Sequence, residues 1–275
     1  MSYGILGPRG TFSEEAAIRY WGEGVELQEA GNIPQLFGMV EKGEVEGALI
    51  PIDNSRAGSI EPTMECLSRN DVLIAGEISI PVQQHLLSCH RYALDEIELL
   101  ISQPAALVQC EEFINEHLPR VRTEIVASTT RAAQLLTSET RKAAAIAHEQ
   151  AARLYGLKIL CPAISGKDNV TRFIHICAPG QVARGKKSSL IFTLPDQPGA
   201  LYRALAVLAE RSINMSKIES RPSRYQKGRY WFYIEVATTG KEGEIKELLG
   251  ELCLYCSNLK YLGSYPAAHN LTTIQ

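Results

Sequence analysis

The chain has 275 residues, enough for one large domain or for a large and a small one at ~100–200 residues each. Hydrophobic residues make up 45% and charged residues 21%, which supplies a core and excludes wholesale disorder. A net charge of -3 offers no basic footprint for a polyanion, so nucleic acid is excluded as a partner.

The segment Met1 to Gly7 has no basic stretch leading into a long apolar run, so no signal peptide is expected. No window approaches ~18 consecutive apolar residues, so no membrane span is expected either. Seven cysteines (66, 89, 110, 161, 177, 253 and 256) are an odd number without a disulfide framework. They suit reduced thiols in a cytoplasm.

Short β-type runs alternate with helical stretches up to about residue 178. Ser2–Leu6 reads as a strand, and a helix follows from about Ser13 to Trp21. Asn32-Ile33-Pro34-Gln35 has the form of a capping box with proline in the first turn. Val45–Ile52 is nearly all apolar, as in a strand buried on both faces. The alternation continues with Val72–Ile80, a helix over Pro104–His117, Thr123–Ala127, a helix after Ser128, and Ala143–Ala147. Glu149–Tyr155, Lys158–Cys161 and Phe173–Cys177 complete it. The pattern predicts an α/β fold of parallel sheet covered by helices, in two lobes. Pro179–Lys187 reads as a linker. The order then becomes β-α-β-β-α-β up to Tyr265, a ferredoxin-like second domain, with 266–275 as a tail.

Nucleotide and metal motifs fail on spacing. Gly4, Gly7 and Gly10 do not match the dinucleotide fingerprint. Gly180-x4-Gly185-Lys186 is followed by Lys187, where a phosphate loop needs Ser or Thr, and it leads into a strand. Cys253-x2-Cys256 lacks a second ligand pair, and His148-Glu149 lacks a second histidine. No metal and no cofactor are expected.

Four segments carry candidate chemistry. Gly7-Pro8-Arg9-Gly10-Thr11-Phe12-Ser13 joins a strand to a helix and offers hydroxyls and N–H donors to an anion. Pro51 to Ser59, with Asn54, Ser55 and Gly58, lies at a strand's carboxyl end, where ligands of open α/β sheets bind. Ser128-Thr129-Thr130 opens a helix after a strand. Asp168-Asn169-Val170-Thr171-Arg172-Phe173 puts an amide, a hydroxyl, a guanidinium and a ring at the start of a strand. Arg172 either clamps a carboxylate or pairs with Asp168. Together they describe a hydroxyl- and amide-rich cleft for a small anion.

In this order the segments resemble the prephenate dehydratase family, whose motifs stand here as residues 7–13, 51–58, 128–132 and 169–173. The final domain resembles an ACT regulatory domain, through Gly199-Ala200-Leu201 and Glu219-Ser220-Arg221-Pro222. Departures from the family pattern are Asp53 for glutamate, Gln84 beside His85 for histidine, and Gln103 and Ala105 for His and Gln.

The resemblance implies a catalytic domain over 1–180, with two lobes like type 2 periplasmic binding proteins and crossovers near 79–82 and 161–168. It implies an ACT domain over 188–265. The implied reaction is loss of CO2 and water from prephenate to give phenylpyruvate, without cofactor. Thr171, Asn54 and Ser55 are the implied catalytic residues, Thr171 polarising the leaving hydroxyl within a relay. Thr11, Ser13, Gly58, Ser128, Thr129, Arg172 and Phe173 are the implied substrate-binding residues, Phe173 alternatively as the wall of the pocket. Phenylalanine is the implied effector, at Gly199, Ala200, Leu201, Asn214, Glu219, Ser220, Arg221 and Pro222. Arg221 has a surface salt bridge as its alternative. A lone β-α-β-β-α-β unit leaves one sheet face and an edge open, and ACT domains resolve this by pairing. A dimer or tetramer is therefore expected. The competing readings are an arogenate dehydratase and a non-catalytic small-anion binder with an amino-acid-sensing domain.

Overall fold

Alternating strands and helices build a first lobe from β1 (Ser2–Leu6), α1 (Phe12–Trp21), β2 (Glu26–Ala30), α2 (Ile33–Glu41), β3 (Gly47–Asn54), β4 (Gly58–Ser59), α3 (Glu61–Arg69) and β5 (Leu73–Pro81). The computed structural model describes residues 1–165, 169–180, 184–222 and 230–267. Asn32 caps α2 by accepting from the Gln35 N–H at 2.9 Å, while the Gln35 side chain reaches back to the Gly31 N–H at 2.9 Å.

After β5 the chain enters a second lobe: β6 (His85–Ser88), a 3-10 turn (Leu94–Glu96), β7 (Leu99–Ser102), α4 (Pro104–Gln109), α5 (Glu111–His117), β8 (Arg122–Ile125), α6 (Thr129–Leu136), β9 (Ala143–Ala147), α7 (Glu149–Tyr155) and β10 (Lys158–Cys161). The single helix expected over Pro104–His117 is two. At Cys110 the axis is re-aimed, so that Ala106 and Cys110 before the break and Phe113 and Ile114 after it reach one core.

β11 (Val170–Cys177) then returns to the first lobe. The first sheet has the order β2-β1-β3-β11-β5, and the second β10-β6-β9-β7-β8. The all-parallel expectation is corrected at β11, antiparallel to both β3 and β5, and at β6, antiparallel to β9 and β10. β11 arrives from the other lobe rather than by a helical crossover, and so runs the opposite way.

The last unit is β12 (Lys187–Thr193), α8 (Ala200–Glu210), β13 (Met215–Pro222), β14 (Tyr230–Ala237), α9 (Glu242–Leu252) and β15 (Asn258–Tyr265), with strand order β13-β14-β12-β15. Its helices cover one face through Leu190, Phe192, Ile234 and Val236. The opposite face is not left open within the chain. Ile191, Tyr233, Leu262 and Tyr265 are buried in the same apolar cluster as Ile74, Ile174 and Ile176 of the first lobe. The approach is close: a Cβ at Gly263 (φ +116) would lie 2.7 Å from the Ile74 carbonyl oxygen. Parts of the expected linker and tail, 181–183 and 268–275, lie outside the described residues.

One core group titrates usefully. His175 on β11 sits among Tyr3, Tyr20 and Trp21, with the Tyr20 hydroxyl 3.4 Å from its Nδ1. Burial lowers its pKa from 6.5 to about 4. The unfolded chain therefore takes up a proton that the folded chain refuses. Stability is complete above pH 6.5 and declines by ~1.4 kcal/mol per pH unit down to about pH 4, about 3 kcal/mol in all. Urea unfolding of wild type and His175→Gln across pH 7.5 to 4 checks this. The variant should lose most of that slope, and an unchanged slope would refute the assignment.

Candidate active site

The cleft chemistry begins where β3 and β11 pair antiparallel, with Thr171 opposite Asn54 and Arg172 opposite Asp53. Beyond β3 the chain makes a tight turn and returns as β4, with Asn54 opposite Gly58 at φ +77. The turn orients Asn54 without ambiguity. Its Oδ1 accepts from the backbone N–H groups of Arg56 and Ala57, each at 3.0 Å. Those groups are obligate donors, so the amide nitrogen must face the other way.

There Asn54 Nδ2 donates to Asn169 Oδ1 at 2.7 Å and to Thr171 Oγ1 at 2.9 Å, with the Val170 carbonyl at 3.3 Å. Ser55 completes the join: its Oγ accepts from the Val170 N–H at 3.0 Å, and its own N–H donates to the Val170 carbonyl at 2.9 Å. The three expected catalytic residues are thus neighbours across one strand pair. Asn169, the amide of the fourth segment, is a fourth member. It is 1% exposed and its Nδ2 has no partner among the described residues. A buried donor left free beside Thr171 is costly unless a ligand or water meets it.

A second contact brings the other two segments together across the lobes. The Thr130 hydroxyl of α6 donates to the Gly10 carbonyl before α1 at 3.4 Å. Thr11 caps α1 with extended backbone, but its buried Oγ1 has no partner among the described residues. Ser13 and Thr129 are buried in the first turns of their helices, and Ser128 caps α6 by accepting from the Arg131 N–H at 3.0 Å. Gln84, at 2% exposure in the crossover, likewise has no partner for its Oε1 among the described residues.

Two implied substrate ligands are placed elsewhere. Side chains alternate along a strand, so Arg172 projects from the face opposite Thr171. Its guanidinium meets Asp53 (Nε–Oδ1 3.2 Å), Glu77 (2.8 Å) and Glu235 (2.7 Å), and leaves no fork for a substrate carboxylate. Its alternative partner, Asp168, lies outside the described residues. Burial opposes the charge of Arg172, but the carboxylates of Asp53 and Glu235 hold its pKa above the usual value. Burial raises the Asp53 pKa, and Arg172 and Lys217 more than offset it, so the carboxyl titrates below its ordinary range. Phe173 is 2% exposed and packs under α1 with Ile5, Ala16 and Ala17, so it is core.

A polar cavity of about 250 Å³ lies between α1, the crossover and α7, lined by Glu15, Arg19, Gln83, His85, His148 and Arg153. His148 Nε2 stands 2.6 Å from Glu15 Oε2 across the lobes. Asn54, Ser55 and Thr171 do not line it. Among the described residues no three His, Cys, Asp or Glu side chains are grouped to hold a metal ion, and no helix is long and apolar enough to cross a membrane.

In the last unit Gly199 (φ +77) opens α8, and Ala200 and Leu201 line a cavity of about 160 Å³ with Tyr230 and Phe232. Ser220 and Pro222 pair with Phe232 and Tyr230, on that side of the sheet. Glu219 and Arg221 point the other way, toward the first lobe, where Glu219 accepts from the Ser59 hydroxyl and pairs with Arg221. The two-residue period of β13 thus turns these two side chains away from the cavity of their own chain, whereas the expected effector site for them lies at the interface with a neighbouring chain. Asn214 contributes its carbonyl, accepting from the Ala237 N–H at 2.8 Å.

A family model described as prephenate dehydratase matches residues 3–181, and one described as ACT domain matches 188–254. The chain belongs to the prephenate dehydratase family. The bifunctional chorismate mutase/prephenate dehydratase of Aquifex aeolicus is 36% identical, with 96% of this chain and 73% of that protein covered. The prephenate dehydratase of Bacillus subtilis is 33% identical, with 96% and 98% covered. The crystal structure of prephenate dehydratase from Arthrobacter aurescens in complex with L-Phe superposes with TM-score 0.90 at 29% identity, covering 100% of this chain and 92% of that one. The dehydratase family also accounts for the ACT unit that follows the two lobes.

Proposed function

We propose that the chain converts prephenate to phenylpyruvate under feedback control by phenylalanine. The observation that carries this reading is the join of Asn54, Asn169 and Thr171 at the mouth of the first sheet. In the reaction the bond to the ring carboxylate breaks, its electron pair enters the ring, and the ring hydroxyl leaves with one added proton as water. Aromatisation drives the change, so the protein must position the dianion and assist the leaving hydroxyl.

Thr171 suits that task. Its oxygen accepts from Asn54, so its own proton is free for the substrate, and a hydroxyl that accepts one bond donates a stronger second. Asn169 Nδ2, with no partner among the described residues, is a further donor beside it. Thr11, Ser13, Ser128 and Thr129, at the N-terminal ends of α1 and α6, supply hydroxyls and N–H groups for the carboxylates. No step calls for a cofactor.

Ultraviolet detection of phenylpyruvate from prephenate tests the reading. Turnover should persist in chelator, and a much higher kcat/KM on arogenate would transfer the assignment to that substrate. Binding of prephenate without turnover would favour the non-catalytic alternative.

Phenylalanine is assigned to the cavity at Gly199–Leu201, where the α8 N-terminus meets its carboxylate and Phe232 and Tyr230 meet its ring. Gly199→Val should weaken phenylalanine binding at least ~10-fold in calorimetric titration, because a branched side chain is strained at φ +77 and crowds the turn. Unchanged binding would move the effector elsewhere. Pairing of ACT units into a dimer or tetramer is supported by β13, an end strand of its sheet. Seven cysteines, none in a disulfide, support a cytoplasmic location.

A further inference from the structure

Six of the charged side chains between the first lobe and the ACT sheet form one network, and the reaction above uses none of them. Asp53 and Glu77 come from the lobe with Arg172, while Glu235 comes from the ACT sheet with Lys187 and Lys217. Their arrangement follows strand register. Asp53 and Arg172 are direct partners across β3 and β11, and Lys217 and Glu235 are direct partners across β13 and β14. The two pairs face each other with opposite charges in contact: Lys217 Nζ to Asp53 at 2.7 Å, and Arg172 Nη2 to Glu235 at 2.7 Å.

Lys217 also donates to the Ser59 hydroxyl at 2.8 Å. Asp53 and Ser59 are opposite one another in the β3–β4 hairpin, so one lysine holds both legs of the turn that carries Asn54 and Ser55. Glu219, two residues further along β13, grips Ser59 as well. That same strand ends in Ser220 and Pro222, whose register partners wall the cavity at Gly199. Arg172 is the residue next to Thr171.

We propose that the hairpin 53–59 is the element through which the ACT domain sets the position of Asn54, Ser55 and Thr171, with Lys217 and Arg172 as positioning residues that never touch substrate. This deepens the dehydratase reading and rests on it. A shift of β13 at its effector end moves Lys217 and Glu219, and with them both legs of the hairpin. Arg172 carries the same shift to Thr171 through the backbone of β11. Buried opposite charges resist sliding past one another, so the interface changes between discrete registers of contact.

The test uses the full chain and Lys217→Met, with Lys217→Arg as the conservative control. Kinetics on prephenate with and without saturating phenylalanine give the coupling factor, and calorimetry gives phenylalanine affinity separately. Wild type should show coupling in the usual range of ~5–150-fold. Lys217→Met should lose at least fivefold of that factor while phenylalanine affinity stays within about threefold, and Lys217→Arg should restore it. Glu235→Gln should act in the same direction; if it does not fold, the more accessible Lys217 site decides. Wild-type coupling in Lys217→Met would overturn the inference. So would loss of phenylalanine binding in parallel with coupling, since Lys217 would then be an effector ligand. A wild-type chain inert toward prephenate overturns the dehydratase reading and this inference with it.

Discussion

Thr171→Ala is expected to lower kcat on prephenate by ~10²-fold or more, with a smaller effect on KM. The hydroxyl is most useful as the substrate's own hydroxyl departs, so its loss falls mainly on the transition state. Thr171→Ser should retain much more activity, because the oxygen that accepts from Asn54 at 2.9 Å survives. Steady-state kinetics on the three proteins check the order. If alanine at 171 changed KM alone, Thr171 would be a binding residue, and the leaving-group role would be wrong.

A still larger loss, ~10³-fold in kcat, is expected of Asn54→Asp. The substitution is nearly isosteric and keeps an oxygen for the Arg56 and Ala57 N–H groups, so the turn survives. The other oxygen replaces a donor that now meets Asn169 Oδ1 at 2.7 Å and Thr171 Oγ1 at 2.9 Å. It repels the first and captures the proton of the second, the one held ready for substrate. Stability should fall by about 1–3 kcal/mol from the unpaired acceptors. Denaturant midpoints measured beside kcat separate the two effects. Wild-type kcat in this variant would show that the amide does not polarise Thr171.

The sequence carried the periodic and local information well. Apolar runs such as Val45–Ile52 marked the strands, and Asn32 marked the start of α2, because burial and capping act over a few residues. Thr171 and Asn54 stood out as polar residues at strand ends, yet their contact depends on an antiparallel register between segments 117 positions apart. Nothing local encodes that register. Asn169 is legible as the amide of the same segment, but its contact with Asn54 depends on that register too. Arg172 was open in the sequence between a carboxylate clamp and an ion pair. The period of two along β11 puts it on the face away from Thr171, where the ion pairs form. The charges at 217 and 235 were beyond reach, since they gain meaning only when two separately folded sheets stack.

The position of β11 has a consequence for how the chain is made. It lies between β3 and β5 in the first sheet, yet it is the last strand of that sheet to be synthesised, after the whole second lobe. Until residue 177 has left the ribosome, the nascent first lobe holds β2-β1-β3 and the lone strand β5, each missing the strand that bridges them. The second lobe, continuous from β6 to β10, can complete its own sheet during that interval. Closure of the first lobe is then a late, long-range event, and the polar join at Asn54 and Thr171 forms only with it.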